Sequence, residues 1–155
     1  MDILEKTPYE TNPVEGPEDA ICAFVEAYDV LQKILCEENE LIFADALRAA
    51  MYRPVRPAGE DIPTISLYEI GVVYVPGADK TGKYGINERK LNVALTEREC
   101  DIRALFVQED GILPNLIEIL AEFLNTEAEI PMNEFIYAAV IRFLNECRRL
   151  IAMWE

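Results

Sequence analysis

Apolar residues recur at helical spacing over most of this chain. Ile136, Val140, Phe143, Cys147, Leu150 and Trp154 step by 4, 3, 4, 3 and 4 residues, the seam of one long amphipathic helix over 131–155. Phe135, Ala139 and Ile151 widen its apolar stripe, and Pro131 suits a first helical turn. Upstream, Ile21, Phe24, Tyr28, Leu31 and Leu35 step by 3, 4, 3 and 4, which predicts a helix from Pro17 to about Glu38. Leu41, Ala44, Leu47, Ala50 and Met51 predict a second, over about 39–52, stopped by Pro54.

The texture then changes. After the proline-rich RPVRPAGEDIP, residues 64–75 are rich in Ile, Val, Leu and Tyr, with Val72 to Val75 the best strand signal. A loop with Gly77, Gly82 and Gly85 follows, and Leu91 to Leu95 alternates like a returning strand. Thr96 and Glu99 form a capping-box pattern that opens a helix to about Gln108. Gly111 ends it, and another helix starts at Pro114 with Leu116, Ile117, Leu120, Phe123 and Leu124 inward. The expected fold is mainly α: about five helices in a small bundle, with a β-hairpin inserted around residues 64–95. Residues 1–16 read as a flexible N-terminal arm, and 17–155 as one helical domain with the hairpin insertion.

Charge sharpens this picture. The 155 residues include 29 acidic and 14 basic groups and no histidine, for a net charge of −15. Residues 1–50 hold 12 acidic and 3 basic groups, residues 51–100 hold 7 of each, and residues 101–155 hold 10 and 4. The helical body is therefore the acidic part. The loop over 76–90 is locally basic through Lys80, Lys83, Arg89 and Lys90. Such a body repels nucleic acid and anionic lipid and attracts basic partners. The candidate partner-binding carboxylates are Glu18, Asp19, Glu26, Asp29, Glu37, Glu38, Glu40, Asp45, Glu118 and Glu122. Glu118 and Glu122 form a like-charge pair four residues apart.

Candidate chemistry is sparse. Without histidine there is no Ser-His-Asp or Cys-His catalysis and no HExxH zinc site. The cysteines (Cys22, Cys36, Cys100, Cys147) form no CxxC pair and read as free thiols in a reducing cytoplasm. No apolar run reaches the roughly 18 residues of a membrane helix, and the first ten residues do not read as a signal peptide. Gly77, Gly82 and Gly85 with Lys80 and Lys83 match no phosphate-loop pattern.

Two short stretches resemble known families. Leu95 to Glu99 followed by Asp101 to Leu105 resembles the opening of LuxR-type helix-turn-helix domains, over about ten residues. That would make the last helix a recognition helix, yet residues 131–137 offer no Arg or Lys for phosphates or bases, so DNA binding does not carry over. Glu37-Glu38 with Glu40 resembles the EExxE metal-binding helix of MazG-type nucleotide pyrophosphohydrolases. Leu41 stands where the third glutamate belongs, and no ExxD follows.

The sequence thus leads to a non-enzymatic, cytoplasmic module without cofactor or metal, binding a basic and nucleic-acid-handling protein, as anti-restriction, anti-CRISPR or immunity proteins do. It would touch neither nucleic acid directly nor membrane. The first alternative is a self-assembling phage-type or scaffold component, forming a homodimer or larger assembly through Phe135, Tyr137, Ile141, Leu144 and Trp154. The second is a carboxylate- and Mg²⁺-dependent nucleotide enzyme.

Overall fold

The computed structural model describes residues 16–57, 64–75, 83–126 and 134–154. Residues 1–15 of the N-terminal arm, the loop residues 76–82 and Pro131 lie outside them. Six α-helices and one two-stranded antiparallel sheet occur among the described residues: α1 (Pro17–Glu37), α2 (Leu41–Tyr52), β1 (Val72–Val75), β2 (Lys83–Ile86), α3 (Glu88–Glu97), α4 (Glu99–Val107), α5 (Ile112–Thr126) and α6 (Glu134–Trp154). The fold is mainly α with an inserted hairpin.

The two longest helices form the spine. α1 starts at Pro17, with Glu18 and Asp19 in the first turn, where carboxylates meet the positive end of the helix dipole. It packs along α6. Phe24 stacks on Phe143 with ring centroids 5.3 Å apart, and Tyr28 meets the same ring at 5.7 Å. Phe106 of α4 touches Phe24 at 5.9 Å and Trp154 at 5.5 Å. Trp154 lies eleven residues beyond Phe143, about 16 Å along α6. Phe106 can touch both rings only if Phe24 lies on the Trp154 side of Phe143, and Tyr28, one turn further along α1, still meets Phe143, so α1 runs away from Trp154. The two helices are therefore antiparallel, and the start of α6 lies beside the end of α1.

α2 turns back against α1 and α5. Asn39, with φ of 62°, makes the turn in the left-handed region that asparagine tolerates. This residue ends the first helical run, so α2 begins at Leu41 rather than at the predicted 39. The buried Gln32 donates its side-chain N–H to the Ala44 carbonyl at 2.9 Å, tying α1 to α2. Phe43 and Phe123 stack with centroids 3.8 Å apart and planes 2° from parallel, which sets the start of α2 on the second half of α5.

The insertion differs from the pattern reading in three places. First, 64–75 is not one strand: Ile65 pairs with Val55 in an isolated bridge, and Leu67–Ile70 is a short 3-10 helix. Ser66 and Glu69 form the capping box of that turn, an arrangement with more local satisfaction than an extended chain offers. Second, the strand returning to β1 is Lys83–Ile86, not Leu91–Leu95, with Tyr74 opposite Tyr84 and Val72 opposite Ile86. Leu91 to Leu95 lies inside α3, capped by the Asn87 side chain, which accepts from the Lys90 N–H at 3.0 Å. Leu91 and Ala94, three residues apart, are the buried pair, so a period of 3.6 wins over a five-residue alternation. Third, Thr96 does not cap α4. It falls in the last turn of α3, and Arg98 joins the two helices without a side-chain cap.

Gly71 makes the hairpin's entry possible. Its φ is 99°, and a Cβ there would lie 2.9 Å from the Asn87 carbonyl oxygen and 3.1 Å from the Leu91 nitrogen. The hairpin is held to the spine by Asp29, whose two carboxylate oxygens accept from the Tyr84 N–H at 3.1 and 3.2 Å.

Candidate functional site: an acidic bundle end and a tyrosine-lined cavity

The ten candidate carboxylates separate into four groups. Glu26, Asp29 and Asp45 have structural partners: Glu26 pairs with Arg142 of α6 at 3.0 Å, Asp29 holds the hairpin, and Asp45 pairs with Arg48 one turn on. Glu18 and Asp19 sit at the start of α1, about 30 Å from its other end. Glu37, Glu38 and Glu40 lie at the α1–α2 turn, and Glu118 and Glu122 are exposed on α5. The Phe43–Phe123 stack brings these last two groups toward one end of the bundle.

Local electrostatics works against the carboxylates at that end. Glu37 closes α1 and Glu38 is its C-cap, at the negative pole of the helix dipole, and the last turn of α1 carries no basic residue. A carboxylate so placed costs on the order of 0.3–1 kcal/mol when exposed. Glu118 and Glu122 repel each other across one helical turn by a few tenths of a kcal/mol.

Exposed apolar side chains share this end. Ile42 is 89% exposed and Leu41 52%, on the first turn of α2. Phe135 is 74% exposed and Tyr137 52%, on the first turn of α6, which the antiparallel packing places beside the end of α1. Of the candidate self-association residues, only Phe135 and Tyr137 are open to solvent. Ile141 is half-buried, and Leu144 and Trp154 belong to the chain's own core.

A second feature has no counterpart in the sequence pattern. Tyr52, Tyr74 and Tyr84 come from α2, β1 and β2, and their ring centroids lie 5.6 to 6.1 Å apart. Together with Met51, Leu67 and Tyr68 they line a cavity of about 260 Å³. Tyr52 and Tyr68 stand exposed at its mouth, and Tyr84 is buried in its wall. The Tyr84 hydroxyl forms no hydrogen bond. The Tyr52 phenol is near enough to couple with it electrostatically, without meeting hydrogen-bond geometry. Burial, then the neighbouring phenols and Asp29, push the Tyr84 hydroxyl far above the ordinary tyrosine range, so it stays a protonated donor. Burial does the same to Tyr28, against the opposing charge of Arg48. Lys90 lies over the Tyr68 ring at 5.0 Å. Sequence reasoning missed this cluster because its members are scattered over about 30 positions. The one signal was aromatic enrichment around a hairpin.

No group of three or more His, Cys, Asp or Glu side chains among the described residues is arranged to hold a metal ion. Glu37, Glu38 and Glu40 do not converge on one point. All four cysteines are free, and burial pushes the Cys147 thiol upward. No described helix is long and apolar enough to cross a membrane. No protein-family model, no curated protein and no solved structure matches this chain.

Proposed function

We propose that this protein is a binding module that masks a basic, nucleic-acid-handling protein, using the acidic end of its bundle as the contact face. The observation that carries this reading is the position of Glu37, Glu118 and Glu122, where helix dipole and like-charge repulsion disfavour carboxylates. Charge placed against local stability is expected where a partner supplies cations. Leu41, Ile42, Phe135 and Tyr137 give the same end an apolar centre, and a desolvated centre within a charged rim is the anatomy of a specific interface. Carboxylates standing where phosphates would bind give fast, salt-sensitive association. Anti-restriction, anti-CRISPR and nuclease-immunity proteins exemplify the class.

The test is capture of partners from a lysate of the source organism at low salt and near ~0.5 M salt, where the Debye length falls to a few Å. The reading expects one basic protein, retained at low salt, released at high salt and displaced by added DNA or RNA. Capture that is indifferent to both salt and nucleic acid contradicts it.

A second reading is supported by Phe135 at 74% and Ile42 at 89% exposure. These side chains would join copies of this chain in a scaffold. It expects sedimentation as a salt-resistant oligomer that becomes a monomer in a Phe135→Ser, Ile42→Ser variant.

A further inference from the structure

We infer that the tyrosine-lined cavity between α2 and the hairpin binds a small planar aromatic compound carrying an oxygen acceptor. This site is separate from the acidic end and does not depend on the function proposed for it.

Size limits the ligand first. A cavity of about 260 Å³ is smaller than those that take drug-sized molecules, so it suits a single ring with one or two substituents. The walls set the ring's character. Phenol rings of Tyr52, Tyr74 and Tyr84, mutually tilted by 52° to 70°, offer both faces and edges to a flat guest. The polar requirement comes from Tyr84. This side chain is 6% exposed, and its hydroxyl has no hydrogen-bond partner. A buried donor left unsatisfied is costly, and a protonated phenol needs an acceptor. The Tyr52 phenol, coupled to that of Tyr84, can supply a second donor to the same ligand oxygen.

Charge settles between anion and cation. Aromatic walls also suit quaternary ammonium groups. Here, though, Lys90 already covers the Tyr68 ring. Arg48, one turn before Tyr52, interacts with the phenols of Tyr28, Tyr52 and Tyr74, while its own charge is paired with Asp45. The Lys90 contact on one aromatic wall and the unpaired Tyr84 donor together favour an oxygen acceptor over a cation. The ligand class is a monocyclic aromatic carboxylate, phenolate or ring carbonyl compound.

The experiment is an NMR titration of the full chain with ¹³C-labelled tyrosine rings. 4-Hydroxybenzoate and uracil serve as probes, and cyclohexanecarboxylate and tetramethylammonium as controls. Saturable shifts of the Tyr52 and Tyr84 ring signals with at least one aromatic probe are expected, with neither control binding as tightly. Tyr84→Phe removes only an unpartnered hydroxyl, so its melting temperature should not fall, while the dissociation constant should rise about tenfold. Absence of a saturable Tyr84 shift with both aromatic probes overturns the inference. So does equal affinity in Tyr84→Phe, or tighter binding of tetramethylammonium.

Discussion

Single side chains carry strain and burial that solution measurements can read. Gly71, at φ 99° and against the Asn87 carbonyl, admits no Cβ. Gly71→Ala is expected to lower stability by about 1–3 kcal/mol, seen as a reduced urea midpoint with unchanged slope. An unchanged midpoint would refute the assigned turn. Gln32 is a different case. Its N–H bonds Ala44, but its side-chain oxygen is buried without a partner. Gln32→Leu removes both features and should change stability by less than about 1 kcal/mol, whereas Gln32→Glu buries a charge and should destabilise clearly. The phenols give a pH signature. Tyr28 and Tyr84 titrate far above their ordinary range, chiefly through burial. A raised folded-state value means the unfolded chain releases its protons first. Their contribution is intact below the unfolded value near ~10 and is lost as pH climbs through it. Stability should therefore fall above about pH 10, by up to about 1.4 kcal/mol per pH unit per buried phenol. The fall should be shallower in Tyr84→Phe. Native-state absorbance titration in which every tyrosine ionises near pH 10 would contradict this.

At the level of elements, the long helices were legible and the short pieces were not. α1 and α6 each show five or more apolar positions at 3–4 spacing, and no strand can use such a period. Five residues of alternation at Leu91–Leu95 fit a strand and a helix equally. The decision came from Asn87 capping α3 and from burial of Leu91 and Ala94, neither of which is a pattern. Tyr84, opposite Tyr74, also donates its N–H to Asp29, 55 residues away, a tie that local sequence could not supply. Among the site residues, Glu37 and Glu38 could be placed at a helix end from sequence. Their nearness to Glu118 and Glu122 required the Phe43–Phe123 contact. The Asp29 tie has its own consequence. Asp29→Ala should cost about 1–3 kcal/mol, and hydrogen exchange should accelerate at Tyr84 before it does in α1 or α6. Uniform acceleration across the helices would argue against this docking contact. Trp154, stacked on Phe106, is a core residue at the end of α6. Trp154→Ala should therefore cost about 3 kcal/mol of fold stability rather than an interface.

Over the whole molecule, the net charge of −15 is unevenly spent. The hairpin region is neutral and carries the tyrosine cavity, and the helical body is acidic. Within that body, Glu26, Asp29 and Asp45 serve the fold, while the turn after α1 and the outer face of α5 present carboxylates to solvent beside exposed Ile42 and Phe135. That end is the proposed working face. The most direct measurement compares capture of the basic partner by the wild-type protein and by a variant with Glu37, Glu118 and Glu122 replaced by Gln. These substitutions remove unfavourable local electrostatics, so the variant should melt at the same or a slightly higher temperature. The account predicts that it nonetheless loses the partner at low salt. Full retention of the partner by a stably folded variant would contradict it.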